Sequence, residues 1–304
     1  MDHSSQDDVL TSVRALMADA IDYAGLFPPA GLSMSEAVIN YAMYRNSNYA
    51  WMLGRFVVTA ARLDEFYESA RDFISRDDGN AWRVAVVAGD DVTKTIDQVK
   101  NFNAANGPGI VCDVLEIRAD SAGVIENAAI SVPGDITAYF ELPLDQTLPD
   151  LVSALAIRGQ RAKVRTGGVT PEAFPSTQAI IRFVKTCLAA NVRFKATAGL
   201  HHPIRCFRPL TYEADSVKGT MHGFLNLFLM TGFAREGYRP SLLEDVMEEE
   251  FEEVFAFDDN TAVWRDEYVL TTWQIERMRE YGLQSFGSCS FDEPVADLQK
   301  LGVL

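Results

Sequence analysis

RAKVRTGG (Arg161 to Gly168) and RFKATAGLHHP (Arg193 to Pro203), with STQAIIRFVKTCLAA (Ser176 to Ala190) between them, decide the fold of this chain. Each outer piece has strand length, carries a lysine and ends in glycine, and the middle piece has the apolar spacing of a helix. Strand, helix and strand in that order make a parallel unit, because a parallel pair needs a crossover connection. An unpaired ammonium in an apolar interior is heavily penalised. Two lysine strands in succession therefore point to a polar interior that opens, at the glycine turns, into a reaction site.

The same alternation runs outward in both directions. IDYAGLFPPA precedes SMSEAVINYAMYR; GRFVVTAARL precedes DEFYESARDFI; WRVAVVAG precedes DVTKTIDQVKNFNA. CDVLEIRAD and ITAYFELPL follow, each with its own helix, and bring the pattern to the lysine strands. QSFGSCSF supplies an eighth strand and VADLQKLG a last short helix. Eight such units predict a (β/α)8 TIM-like barrel over residues 1–304, a single α/β domain with a largely helical insertion at about 240–282 before the last strand. The chain's 304 residues suit a fold of about 250 residues plus that insertion. An open doubly wound sheet is the alternative, but no glycine-rich dinucleotide fingerprint follows the first strand. The insertion is too short for a core of its own. Its apolar residues (Leu243, Val246, Phe251, Phe255, Trp273, Ile275) are expected to pack on the barrel or on a second copy of the chain, which leaves a homo-oligomer open.

Composition excludes several function classes. With 48% hydrophobic and 23% charged residues the chain can bury a full core. A net charge of −16 marks an acidic protein and argues against nucleic acid or an anionic membrane as partner. A small anionic substrate is still compatible, since basic residues can gather in a cleft. The N-terminal MDHSSQDDVL lacks the basic and apolar regions of a signal peptide. The longest apolar run, MHGFLNLFLMTGF, is too short to span a membrane. Cys112, Cys187, Cys206 and Cys289 have neither metal spacing nor a disulfide framework. A soluble, cytoplasmic protein with free thiols is the expectation.

In this fold, sites gather where strands end, and alternation decides which side chains face the axis. Lys163 and Arg165 share a face of their strand; so do Lys195 and Thr197, Glu116 and Arg118, Tyr139 and Glu141, and Arg55, Val57 and Thr59. Outward faces are covered by apolar helices, so the charged faces are assigned inward. This collects Glu116, Arg118, Glu141, Lys163, Arg165 and Lys195 around one axis. A lysine beside a second cation gives up its proton more readily, and the neutral amine can attack a carbonyl. Lys163 and Lys195 are such a candidate pair, with Glu116 or Glu141 moving protons and Arg165 and Arg118 holding an anion.

KVRTGG and FKATAG resemble the two lysine strands of class I aldolases of the deoxyribose-phosphate aldolase type. The resemblance covers roughly residues 110 to 205. It implies a lyase that needs no added cofactor, with Lys163 as Schiff-base lysine and Lys195 as second lysine. It would carry the family's acidic residue onto Asp113, although Asp113 has the opposite parity to Glu116. Beyond Gly199 the chain departs from the family, with GLHHPIR where a glycine-rich phosphate turn is usual.

Other residues support competing readings. His201 and His202, with Glu116, Glu141 and His222, offer ligands for a divalent metal and hence a metal-dependent lyase or hydrolase. His201 is alternatively a general acid or base at a loop mouth. GSCS (Gly287 to Ser290), with Arg205 near it, could bind a phosphate or carboxylate through Ser288 and backbone N–H groups. Cys289 has no histidine near it in sequence and is a weak nucleophile candidate. DYAGLFPPA is read as a rigid loop wall after the first strand, with Asp22 or Tyr23 lining the mouth of the site as the alternative. A third reading has the interior charges merely neutralise one another in a non-catalytic barrel whose acidic insertion, with EEEFEE at Glu248 to Glu253, binds a protein partner.

Overall fold

A computed structural model describes residues 9–74 and 81–304; His3 lies outside them. Eight parallel strands close into a barrel. They are β1 (Ile21–Tyr23), β2 (Leu53–Thr59), β3 (Trp82–Val87), β4 (Ile110–Arg118), β5 (Thr137–Glu141), β6 (Arg161–Arg165), β7 (Phe194–Thr197) and β13 (Leu283–Ser288). Neighbours follow chain order except at closure, where β13 lies between β7 and β1. The fold is the (β/α)8 barrel that the alternating pattern predicts.

The helices begin and end where local chemistry dictates. The helix after β1, α2 (Met34–Arg45), opens on a capping box in which Ser33 and Glu36 satisfy each other's backbone N–H groups. The helix between the lysine strands, α7 (Thr177–Ala189), takes Ser176 as N-cap. The helix before β6, α6 (Leu148–Arg158), stops at Gly159, whose φ of 64° suits glycine far better than a residue with a Cβ. The main apolar core lies between the strand ring and the helices. A smaller cluster, Val57, Ala85, Val114 and Tyr139, fills the inside of the barrel.

Two departures from the simple repeat matter for function. After β7 the chain makes a two-stranded hairpin, β8 (Cys206–Pro209) with β9 (Lys218–Met221), before α8 (Phe224–Arg235). The insertion then holds α9 (Pro240–Glu248), an antiparallel sheet of β10 (Phe255–Phe257), β11 (Thr261–Trp264) and β12 (Tyr268–Thr271), and α10 (Thr272–Tyr281). The insertion is helical at both ends, as expected, and holds in addition this sheet, which the sequence reading did not include. Its strands are three or four residues long, too short to print an alternation in the sequence. Leu243, Val246 and Ile275 are buried as expected, but Phe251 and Trp273 are each 63% exposed.

Glycine accounts for the close packing behind the lysine strands. A Cβ on Gly167 or on Gly199 would lie 2.9 Å from the other glycine's Cα, and both would press on the Phe174 ring. The turns after β6 and β7 can therefore touch only as glycines.

Candidate functional site

Register sets the site. Glu141 of β5 lies opposite Lys163 of β6, and Lys163 opposite Lys195 of β7. The side chains join into a ladder of alternating charge inside the barrel. Lys195 Nζ donates to Asp22 Oδ2 at 2.5 Å and to Glu116 Oε1 at 2.7 Å. Lys163 Nζ donates to Glu116 Oε2 at 2.6 Å and lies 2.9 Å from Glu141 Oε2. The Arg165 guanidinium closes the series, with Nε 3.4 Å from Glu141 Oε1. Three cations alternate with three carboxylates, so each buried charge has an opposite neighbour at contact distance, which offsets the cost of desolvation.

Asp22, which the sequence offers as a residue of the loop wall or of the site mouth, lies deeper than either. It is buried on β1, and besides Lys195 it accepts from the Arg55 N–H at 2.8 Å and the Ser285 hydroxyl at 2.8 Å. Gly54 makes room for it: a Cβ there would lie 2.4 Å from Asp22 Oδ1. The signal in the sequence was an aspartate flanked by apolar strand residues in AIDYA, where an unpaired carboxylate would be as costly as an unpaired lysine.

Electrostatics follow the geometry. Burial pushes the Glu116 carboxyl up, but the two ammonium groups of Lys163 and Lys195 outweigh it and hold the group at about 2. Burial likewise works against Asp22 and Glu141, and Lys195 with Arg55, and Lys163 with Arg165, bring them below the usual carboxylate range. Burial opposes the charge on Lys195 too, yet Asp22 and Glu116 raise it above the usual lysine value. The sequence suggested that the two lysines would repel; Glu116 stands between their charges.

A cavity of about 720 Å³ lies over the ladder. Lys163, Glu116 and Glu141 line it, with Arg118, Arg165 and Thr197 nearby and Phe27, Val57 and Val87 on the apolar side. Lys195 and Asp22 lie beneath and do not reach it. Lys163 is thus the ammonium a ligand would meet. Asp90 and Asp120 also border the cavity, so Arg118 and Arg165 share its wall with several carboxylates.

Other sequence candidates lie elsewhere. Ser288 is buried and does not line the cavity; its neighbours Gly287 and Cys289 do. Arg205 turns to Glu250, 2.8 Å away, and to the Glu248 carbonyl. His202 Nδ1 lies 2.7 Å from Asp297, and His222 Nε2 lies 2.9 Å from the Pro175 carbonyl. Among the described residues, His201 is the one histidine that lines the cavity. Glu116 and Glu141 are brought together, but by Lys163 and not by the histidines. Among the described residues no three His, Cys, Asp or Glu side chains are grouped to hold a metal ion.

Asp113 corrects a parity argument. A bulge in β4 shifts the register with β3 between Cys112 and Val114. Asp113 is then able to bind Arg55, with Nε–Oδ1 at 2.9 Å and Nη2–Oδ2 at 2.8 Å, while Val114 and Glu116 keep their inward direction. Simple alternation had made the two acidic residues mutually exclusive; the extra residue of a bulge removes that restriction. Even so, Glu116, and not Asp113, is the β4 carboxylate that meets both lysines.

No protein-family model and no curated protein matches this sequence.

Proposed function

We propose that this barrel is an enzyme acting on a small anionic carbonyl compound by lysine-assisted carbon–carbon lyase or isomerase chemistry. The observation that carries the reading is the position of Lys163: it belongs to a fully paired buried ladder, yet its amine borders a cavity large enough for a metabolite. Charges that only neutralised one another would need no such opening.

In this reading Lys163 Nζ adds to the substrate carbonyl carbon and water leaves, giving an iminium. The iminium accepts the electron pair released when the substrate's Cα–Cβ bond breaks or the α-proton departs. Attack requires the neutral amine, so Lys163 must first give up a proton. Glu116 is a poor recipient because two ammonium groups hold it ionised. Glu141 has one close ammonium and a weaker contact to Arg165, so it is the proton carrier. Lys195 keeps Glu116 in place. Arg165, 51% exposed along its side chain, and Arg118, which has no ion-pair partner among the described residues, hold the substrate anion.

Trapping tests this directly. The protein is incubated with acetaldehyde or pyruvate, a neutral and an anionic carbonyl, and reduced with borohydride; peptide mass mapping then locates the adduct. Selective labelling of Lys163, saturating at lower concentration with pyruvate and abolished in Lys163→Met, is the expected result. Labelling spread over surface lysines would overturn the reading.

A further inference from the structure

Outside the ladder, a second group of reactive side chains borders the same cavity. Cys289, just past β13, lies with its Sγ 3.7 Å from His201 Nδ1 and 3.7 Å from the Tyr212 hydroxyl. Tyr212 comes from the hairpin of β8 and β9 and donates to Glu293 Oε2 at 2.9 Å; Glu293 Oε2 is 3.6 Å from His201 Nδ1. Glu293 opens the last helix, α11 (Asp292–Lys300). The turn after β7, the hairpin loop and the stretch joining β13 to α11 thus gather a thiol, an imidazole, a phenol and a carboxylate. Cys289 and His201 both line the cavity.

We propose that Cys289 and His201 form a nucleophilic thiol–imidazole pair, a modification site in the cavity wall that takes small disulfides. The step balances as thiol–disulfide exchange. His201 accepts the Sγ proton, and Cys289 Sγ attacks one sulfur of the incoming disulfide. The new S–S bond forms as the old one breaks, and the departing thiolate takes the proton from His201. The His201 N–H faces the developing thiolate, and the Tyr212 O–H fixes Glu293, which stabilises the imidazolium. The charged and titratable groups around Cys289 are therefore His201, Tyr212 and Glu293, with Tyr23 of β1 and Asp292 close enough to feel the same field. A mixed disulfide at Cys289 would occupy part of the cavity over Lys163, reversibly. The inference does not depend on the lysine chemistry, because no step uses Lys163.

The four cysteines make the experiment discriminating. Cys112, Cys187 and Cys289 are buried, and Cys206 is the partly exposed one. Burial pushes the Cys112, Cys187 and Cys206 thiols up. Exposure alone makes Cys206 react first; the proposed pair makes Cys289 first. The native protein is treated with limiting 2-hydroxyethyl disulfide across a pH series, and adducts are located by mass mapping under non-reducing conditions. Expected is Cys289 as the leading site throughout the series. His201→Gln should lower the Cys289 rate at pH 7 at least tenfold. Tyr212→Phe, at a half-exposed hairpin position where folding is not at risk, should raise the midpoint while leaving the high-pH plateau in place. The plateau reports access and the midpoint reports thiolate formation. Cys206 reacting first, or a midpoint unmoved in Tyr212→Phe, overturns the proposal whether or not His201→Gln folds.

Discussion

Lys163 and Lys195 stand in register on adjacent strands, and Glu116 gives one carboxylate oxygen to each, at 2.6 and 2.7 Å. Two ammonium groups this close would otherwise repel in a medium that screens poorly. The shared carboxylate makes their proximity stable. It also divides the work: the lysine nearer the cavity can exchange partners, and the deeper one cannot.

Replacing Glu116 by Gln should therefore cost stability on the order of 3–5 kcal/mol, as expected when one partner of a buried ion network is removed. The acid response is a sharper readout. Glu116 titrates at about 2 in the folded chain against an ordinary 4.5, so the unfolded state takes up its proton first as pH falls. Its contribution is fully present above pH 4.5 and is lost as pH drops towards 2, on the order of 3 kcal/mol in all. Urea midpoints between pH 5 and 2 should fall less steeply in Glu116→Gln than in the parent chain.

Gly54→Ala tests the seat of Asp22. The added methyl would meet Asp22 Oδ1 at 2.4 Å and the Ile21 carbonyl at 3.1 Å. Overpacking of this kind costs about 1–3 kcal/mol, and here it also displaces a carboxylate that neutralises Lys195. A fall in melting temperature of several degrees is expected. Gly89→Ala, where a Cβ meets nothing within 4 Å, serves as the control and should change little.

Glu141→Gln keeps the side-chain volume and removes the proposed proton carrier. Borohydride trapping of Lys163 at pH 7 should slow by about 10²-fold or more, the usual scale of a general-base contribution. The loss should shrink as pH rises and solvent hydroxide takes over the deprotonation. Equal trapping rates in variant and parent at pH 7 would remove Glu141 from the mechanism.

His201 predicts a limb on the alkaline side. Burial lowers its affinity for a proton, but Cys289 and Glu293 outweigh this and raise it to about 9 against an ordinary 6.5. The folded state holds the proton more tightly, so the stabilisation is fully present below pH 6.5 and is lost as pH climbs through 9. Stability should decline by about 1–3 kcal/mol across that window, and His201→Gln should flatten the decline. Cys289→Ala separates the thiol's share of the effect from that of Glu293.

What the sequence determined by itself is everything with a local period. Alternating strand and helix signals named the barrel, and strand parity turned Glu116, Glu141, Lys163 and Lys195 to one interior, because direction along a strand repeats every two residues. What tertiary structure alone decided is everything that depends on closure. Asp22 reaches Lys195 from 173 residues away because β13 slots between β1 and β7. Cys289 meets His201 across 88 residues for the same reason. The β4 bulge that admits Asp113 beside Glu116 breaks the period on which parity rests, and the insertion's strands are too short to show one. Pairing energy between distant side chains is set by where the ring closes, and that geometry has no counterpart in the spacing of residues along the chain.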